Sequence, residues 1–333
     1  MRTSILIPSY RRPRMLQGCL AHLNQQSVRP DEVIVVWQEN DLETRDAALD
    51  FCDRVNYTLK VLHSAARGIV PAENVALDNA CGEILLLLDD DTSPHSNWIA
   101  RHLVHYADPA IGAVGAPVRN HNPDGSPYPL RRPAHLGRLR FYGRMIGNLF
   151  DHPPEWSARP LIEVDHLAAG NMSLRRSAFS NFEVGLKPYW QAFELDVCLQ
   201  AKACGFRVMF DCGNSIDHHP TNTVFRQDRN GDLALKVMNT AYNHAFVLSK
   251  HSMQPFRAVR LLYLVCVGSA AVPGVIGFFA AALRSRKVWL ELDVLRGAIG
   301  SYLAGWAAGS RCRRKSSLAE TSSSRSQRFA HSR

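Results

Sequence analysis

"ILLLLDDDTSP", residues 84–94, runs five apolar side chains straight into Asp89, Asp90 and Asp91. A short aliphatic run bounded by charge reads as a strand buried on both faces. Three adjacent carboxylates at its carboxyl end repel one another and lose hydration, so a fold keeps them where a cation or a water-filled cleft compensates. A helix cap before Pro94 accounts for Asp91 or Thr92 and leaves the other acids unexplained. The stretch points to a metal site at a strand end.

The same pattern extends on both sides of it. "SILIP", a helical pattern over 12–24, "EVIVVW", a second over 41–52, "YTLKVL", a third over 70–80, "EILLLL", a fourth over 95–106 and "IGAVGAP" alternate without interruption. This rhythm predicts a doubly wound α/β domain with a mostly parallel sheet. Such sheets bind ligands outside the carboxyl ends of their strands. Pro8, Ser9 and Tyr10, residues 37–41, residues 63–68 and Asp89 to Asp91 all fall there, so four loops should converge on one crevice. From 117 to 160 the pattern dissolves into Pro, Gly, His and Arg and reads as a long loop. Order returns with "LIEVDHLAAGNMSLRR", a helix over 194–204, the strand "FRVMF", "SIDHHPTNT" and a polar helix over 232–250.

The eight cysteines are scattered with no CxxC pair, which argues against a zinc site or a disulfide framework and for reduced thiols. No signal-peptide pattern precedes the first strand, so the catalytic part is expected on the cytoplasmic face of the cell membrane. Residues 261–283 are 23 residues without a charge, roughly 34 Å as a straight helix and long enough to cross a bilayer. Both flanks are basic, Arg257 and Arg260 before and Arg284, Arg286 and Lys287 after, which disfavours a single crossing. A hairpin bent at Pro273-Gly274 resolves that conflict. The net charge is +9, and residues 310–333 carry seven Lys or Arg against Glu320 alone. That tail reads as disordered and suited to anionic lipid, with no nucleic-acid partner expected. The expected organisation is a catalytic domain over 1–256, a membrane-associated helical segment over 257–309 and a disordered basic tail over 310–333.

Several motifs in order carry a resemblance. "SILIPSYRRP", "RGIVPAENVALDNACGEILLLLDDDTSP", "GNMSLRR" and "SIDHHP" resemble the opening strand, the sugar-nucleotide segment ending in DxD, the acceptor-side motif and the late histidine of the inverting family 2 glycosyltransferases of the GT-A fold, over about residues 3–256. The resemblance implies transfer of a sugar from a nucleotide diphosphate sugar to a hydroxyl of a glycan or lipid-linked acceptor. It also implies Mn²⁺ or Mg²⁺, for which carboxylates are suitable hard ligands. Asp89, Asp91 and His218 are the implied metal ligands. Asp90 is expected on ribose or sugar, and Pro8, Tyr10, Arg67, Asn74, Gly170 and Asn171 around the donor. "AFELDVCLQ" departs from the family, with Phe193 where an acid is expected; register makes Glu194 the base and Asp196 its alternative. In "VVWQEND" Trp37 stands where the family has an acid, so either Trp37 stacks on the nucleotide base or Glu39 or Asp41 accepts its hydrogen bond. Two rival readings are a membrane-tethered nucleotide-sugar-binding scaffold and, less well matched, a sugar nucleotidyltransferase, which would want a Gly-rich phosphate loop after the first strand.

Overall fold

The computed structural model describes residues 1–122, 124–127, 135–147, 161–188, 191–219, 233–253, 255–269, 272–279 and 288–330. They form two compact units. The first comprises Met1–Leu139, Ile146–Val184 and Phe193–Gly231; the second comprises Arg140–Met145, Gly185–Ala192 and Asp232–Arg333. The polar helix after residue 232 thus groups with the C-terminal helices, so the division expected at 256 falls earlier.

Up to residue 218 the elements follow the predicted rhythm: β1 (Thr3–Ser9), α1 (Pro13–Leu23), β2 (Glu32–Gln38), α2 (Leu42–Leu49), β3 (Thr58–Ser64), α3 (Ile69–Asn79), β4 (Ile84–Leu88), β5 (Thr92–Ser93), α4 (Trp98–Leu103), β6 (Ile111–Gly115), β7 (Val118–Asn120), β8 (Arg138–Leu139), β9 (Met145–Ile146), β10 (Leu161–Glu163), β11 (Asn171–Arg175), α5 (Phe193–Ala203), β12 (Arg207–Asp211) and β13 (Ile216–His218). An eight-stranded sheet has the order β10-β12-β6-β11-β4-β1-β2-β3. β1 pairs in parallel with β2 and β4, β2 with β3 and β12 with β6, whereas β11 runs antiparallel between β4 and β6 and β10 antiparallel to β12. β1, flanked by β2 and β4, marks the point where strand order reverses, and the crevice opens at its carboxyl end. All five side chains of β4 are buried, as the uninterrupted aliphatic run requires. Proline opens α1, where its missing N–H costs nothing, and Leu16, Cys19, Leu20 and Leu23 bury one stripe of that helix. A second sheet, β5-β13-β7, stands beyond the end of β4. β7 lies in the stretch expected to be loop, much of the rest of which is outside the described residues.

The second unit holds α6 (Leu233–His251), α7 (Phe256–Cys266) and α8 (Val288–Ala330). Gly305 and Gly309 let α8 approach α6 closely: a Cβ on either would meet the carbonyl oxygen of Tyr242 or Phe246 at 2.2 Å. α8 continues to Ala330, so the tail expected to be disordered is helical to that point; extending a formed helix is easier than nucleating one. The apolar run over 261–283 is not one helix. α7 stops at Cys266, Gly268 turns with φ +94° and bridges Pro273, and a helical turn resumes at 275–279. Among the described residues no helix is long and apolar enough to cross a membrane.

Candidate active site

β4 delivers Asp89, Asp90 and Asp91 to the mouth of the crevice, and each carboxylate meets a different environment. Asp90 is 3% exposed and turned inward, with Oδ2 accepting from Ser9 Oγ at 2.6 Å and Oδ1 from Arg12 Nη1 at 2.8 Å. It ties β1 to the start of α1, and both oxygens expected on the donor are already taken. Burial and its acidic neighbours raise its pKa against the pull of Arg12. Arg12 Nη1 also lies 2.5 Å from Asp91 Oδ2. Two like charges about 4 Å apart repel by about 4 kcal/mol at an effective dielectric of 20, so the guanidinium supplies the first half of the compensation the sequence demanded.

Asp89, Asp91 and His218 each offer one ligand atom within 4.8 Å of the others. Burial pushes the Asp91 pKa up, but the His218 hydrogen bond and the Arg12 charge outweigh it and hold Asp91 below the usual carboxylate range. β13 places His218 Nε2 3.0 Å from Asp91 Oδ1, and β7 places Asn120 Oδ1 2.6 Å from His218 Nδ1. Because the amide oxygen only accepts, Nδ1 carries a proton, and the hydrogen bond to Asp91 takes a second proton on Nε2, whose release would bare the lone pair a cation needs. Gly170, just before β11, leaves room for Asp89: a Cβ there would sit 2.9 Å from Asp89 Oδ2. Two carboxylates and an imidazole nitrogen, with a neighbouring backbone stripped of its side chain, fit a divalent cation of the Mn²⁺ or Mg²⁺ type.

α5 brings Glu194 to the same place. The Ala169 N–H, beside Gly170, donates to its carboxylate. Burial, with the charge of Asp89 adding, pushes the Glu194 pKa up to about 7 against that bond and the residue's own N–H. Asp196 lies roughly 200° around the helix from Glu194. It is fully buried, and its Oδ2 accepts from Gln200 Nε2 at 2.7 Å while Gln200 also bonds Ser180 and Asn181. Phe193 packs edge-on to Phe182, filling with a ring the place where an acid was expected.

A cleft of about 820 Å³ opens at the carboxyl ends of β1, β2 and β3, lined by residues that include Tyr10, Arg11, Glu39, Asp41 and His63. Its floor is tied to the acidic site through the chain, since Tyr10 and Arg11 directly precede Arg12. The Tyr10 hydroxyl donates to Glu39 Oε2 at 2.6 Å, and the Arg11 and Arg67 guanidinium carbons lie 5.0 and 5.4 Å from its ring centroid. Glu39 adopts φ +53° and aims its carboxylate toward the cleft. Asp41 caps α2 through Thr44 N and takes the Arg11 N–H, so both its oxygens are committed. Trp37 is not among the lining residues. Its ring stacks on His63 with centroids 4.0 Å apart, and it is His63 that faces the cleft. Pro8 lies in β1 opposite Val36.

Two asparagines expected around the donor are taken up by the fold. Asn74 clamps the backbone of Phe182, donating to its carbonyl at 2.8 Å and accepting from its N–H at 3.1 Å. Asn171 is buried with every amide atom used: Oδ1 accepts from Trp98 and His102, and Nδ2 donates to the Pro117 and Asn214 carbonyls. Glu73, one residue before Asn74, went unnoticed in the sequence. It is 1% exposed, its Oε2 has no hydrogen-bond partner among the described residues, and burial plus the charge of Asp89 raise its pKa well above the ordinary value.

Crevice, acidic strand end and late histidine together define a class, and the comparisons with known proteins agree. The family described as Glycosyl transferase family 2 matches residues 4–181, more than half of the chain, and the chain belongs to that family, with its GT-A fold. Glycosyltransferase AglE of Haloferax volcanii is 27% identical over 124 residues, 37% of this chain and 41% of that protein. The chain therefore matches about two-fifths of that relative's length. GalNAc-T7, solved with UDP, GalNAc and Mn²⁺, superposes with a TM-score of 0.62 at 15% identity, over 90% of this chain and 56% of that one. S. aureus TarS 1-349 with UDP-GlcNAc superposes with a TM-score of 0.60 at 14% identity, over 92% and 81% respectively. These two likenesses are likenesses of fold.

Proposed function

We propose that this chain is a metal-dependent, inverting glycosyltransferase that moves a sugar from a nucleotide diphosphate sugar to a hydroxyl of a glycan or lipid-linked acceptor, in the synthesis of a cell-surface polysaccharide or glycolipid. The observation that carries the reading is the meeting of Asp89, Asp91 and His218 with Glu194 around one strand end. Asp89, Asp91 and His218 Nε2 would hold the cation, whose contribution is to offset the negative charge that develops on the diphosphate as it leaves. Tyr10, Arg11, Glu39, Arg67 and His63 supply the rings, charges and acceptors around a nucleoside.

Inversion needs one base, which takes the proton from the acceptor hydroxyl as its oxygen attacks the anomeric carbon and the bond to the diphosphate breaks. Glu194 suits that task because its carboxylate titrates near neutrality, beside the metal ligands rather than among them. Asp196, held by Gln200 inside α5's packed face, serves the scaffold. UDP-GlcNAc in complex with TarS, and UDP with GalNAc and Mn²⁺ in GalNAc-T7, support a nucleotide sugar here without naming the sugar. The test is release of nucleoside diphosphate from a panel of nucleotide sugars with Mn²⁺, Mg²⁺ or chelator. The proposal expects turnover of at least one donor that requires a divalent cation. Nucleotide-sugar binding without turnover under every condition would favour the scaffold reading.

A further inference from the structure

Arg257 and Arg260, the basic flank before the apolar run, are turned inward. Arg257 donates to Ser249 O at 2.9 Å and Ser310 Oγ at 2.6 Å, and Arg260 to Ser252 Oγ at 2.8 Å and Phe141 O at 2.9 Å. On α7 these arginines share a side with buried Leu264, which leaves the rest of the helix surface outward. There Phe256, Val259 and Leu262, three residues apart and so on one stripe, are 42%, 43% and 64% exposed. Phe141 joins them, 59% exposed, with its ring 6.1 Å from Phe256. A tight turn raises it there: Gly143 N bonds Arg140 O at 2.8 Å, Arg140 N bonds Arg144 O at 2.8 Å, and Gly143 takes φ +99°. The turn's two arginines, Arg140 and Arg144, are exposed and flank Phe141 in sequence.

The sequence around this stripe carries charge of one sign. From 233 to 290 the sequence contains no Asp or Glu, while Lys236, Lys250, Arg257, Arg260, Arg284, Arg286 and Lys287 lie in it. Arg313 and Arg314 crowd Arg257 closely enough to lower its pKa, after burial, so cations gather there despite their repulsion. A soluble partner's apolar groove would match the stripe and leave this uniform charge unused. An anionic bilayer matches both, since aliphatic and aromatic side chains enter the acyl boundary while Arg and Lys meet phosphate.

We infer that the second unit docks shallowly on an anionic lipid surface through Phe141, Phe256, Val259 and Leu262, with Arg140 and Arg144 at the headgroups. The stripe lies on a helix of 11 residues, so it rests in the interface and does not cross. This inference is independent of the transfer reading and places the enzyme where a lipid-linked acceptor would be.

The test is flotation of the full chain with vesicles of phosphatidylcholine alone and of phosphatidylcholine mixed with phosphatidylglycerol, at low and high salt. The chain should float with the mixed vesicles, stay behind with the neutral ones, and release on raising salt. Arg140→Glu with Arg144→Glu should reduce the bound fraction roughly tenfold at low salt. Leu262→Asp, at a position too exposed to unsettle the core, should lose binding while its circular dichroism and donor turnover match the parent. A folded Leu262→Asp protein that floats like the parent would overturn the inference, as would a parent that ignores both vesicles.

Discussion

Asn120 Oδ1 lies 2.6 Å from His218 Nδ1, and that bond decides which ring nitrogen faces Asp91. Losing it frees the imidazole to rotate and to change tautomer. Asn120→Ala should weaken Mn²⁺-dependent nucleoside diphosphate binding by roughly 10- to 100-fold, the usual range for a partner behind a metal ligand. Asn120→Asp, which keeps an acceptor, should retain most of it. Calorimetric titration of both variants reads this out, and unchanged affinity in Asn120→Ala would remove His218 from the ligand set.

Glu194 predicts a pH profile. As the proposed base it would act only when ionised, and with a pKa of about 7 turnover should fall about tenfold per pH unit below that value and level off above it. Glu194→Gln should lower the transfer rate by roughly 10² to 10⁴ while donor affinity changes little. Asp196→Asn should leave the position of the acid limb where it is and act on stability. An acid limb that persists in residual Glu194→Gln activity would assign the base elsewhere.

Arg12 holds Asp90 and Asp91 with one nitrogen, at 2.8 and 2.5 Å. Arg12→Ala leaves two buried carboxylates facing each other and should cost about 3–5 kcal/mol, the scale for breaking a buried pair. Urea unfolding measures it. A loss under about 1 kcal/mol would mean that solvent already screens these charges.

Glu73 makes a linkage prediction. Its carboxyl is buried with no partner for Oε2 among the described residues, and its folded pKa lies well above its unfolded one. The unfolded chain therefore gives up this proton first as pH rises, and the parent should lose stability from about pH 4.5 upward until the folded group ionises as well. Glu73→Gln removes that slope. Its thermal midpoint should gain on the parent as pH rises from about 4.5, and parallel curves would show that Glu73 is solvated or paired.

The β/α alternation and the acids at its strand ends were legible because hydrophobic periodicity is local: β1, β2, β3, β4 and β6 lie where their apolar runs place them. Asp89, Asp91, His218 and Glu194 were reachable through motif order. Asn120 was not, because its meaning is a bond to a residue 98 positions away across a second sheet made of three short strands. Arg12 sat unremarked in a basic run, although three consecutive acids ask for an internal cation as well as a bound one. Asn74 and Asn171 show the opposite error. A buried amide beside a ligand motif looks the same in sequence whether it meets a sugar or, as for Phe182 and Pro117, a main-chain group. In the apolar segment, hydropathy measured length correctly but could not foresee that Gly268 and Pro273 would fold the run back on itself.

The central claim is that Asp89, Asp91 and His218 hold the cation on which donor turnover depends, and Asp91→Asn tests it most directly. Release of nucleoside diphosphate should be measured against Mn²⁺ concentration for parent and variant, with circular dichroism confirming that both are folded. The account predicts saturable Mn²⁺ activation in the parent, abolished by chelator and restored by added Mn²⁺, and no activation at any concentration in Asp91→Asn. A folded Asp91→Asn protein that keeps the parent's Mn²⁺ dependence and turnover would contradict it.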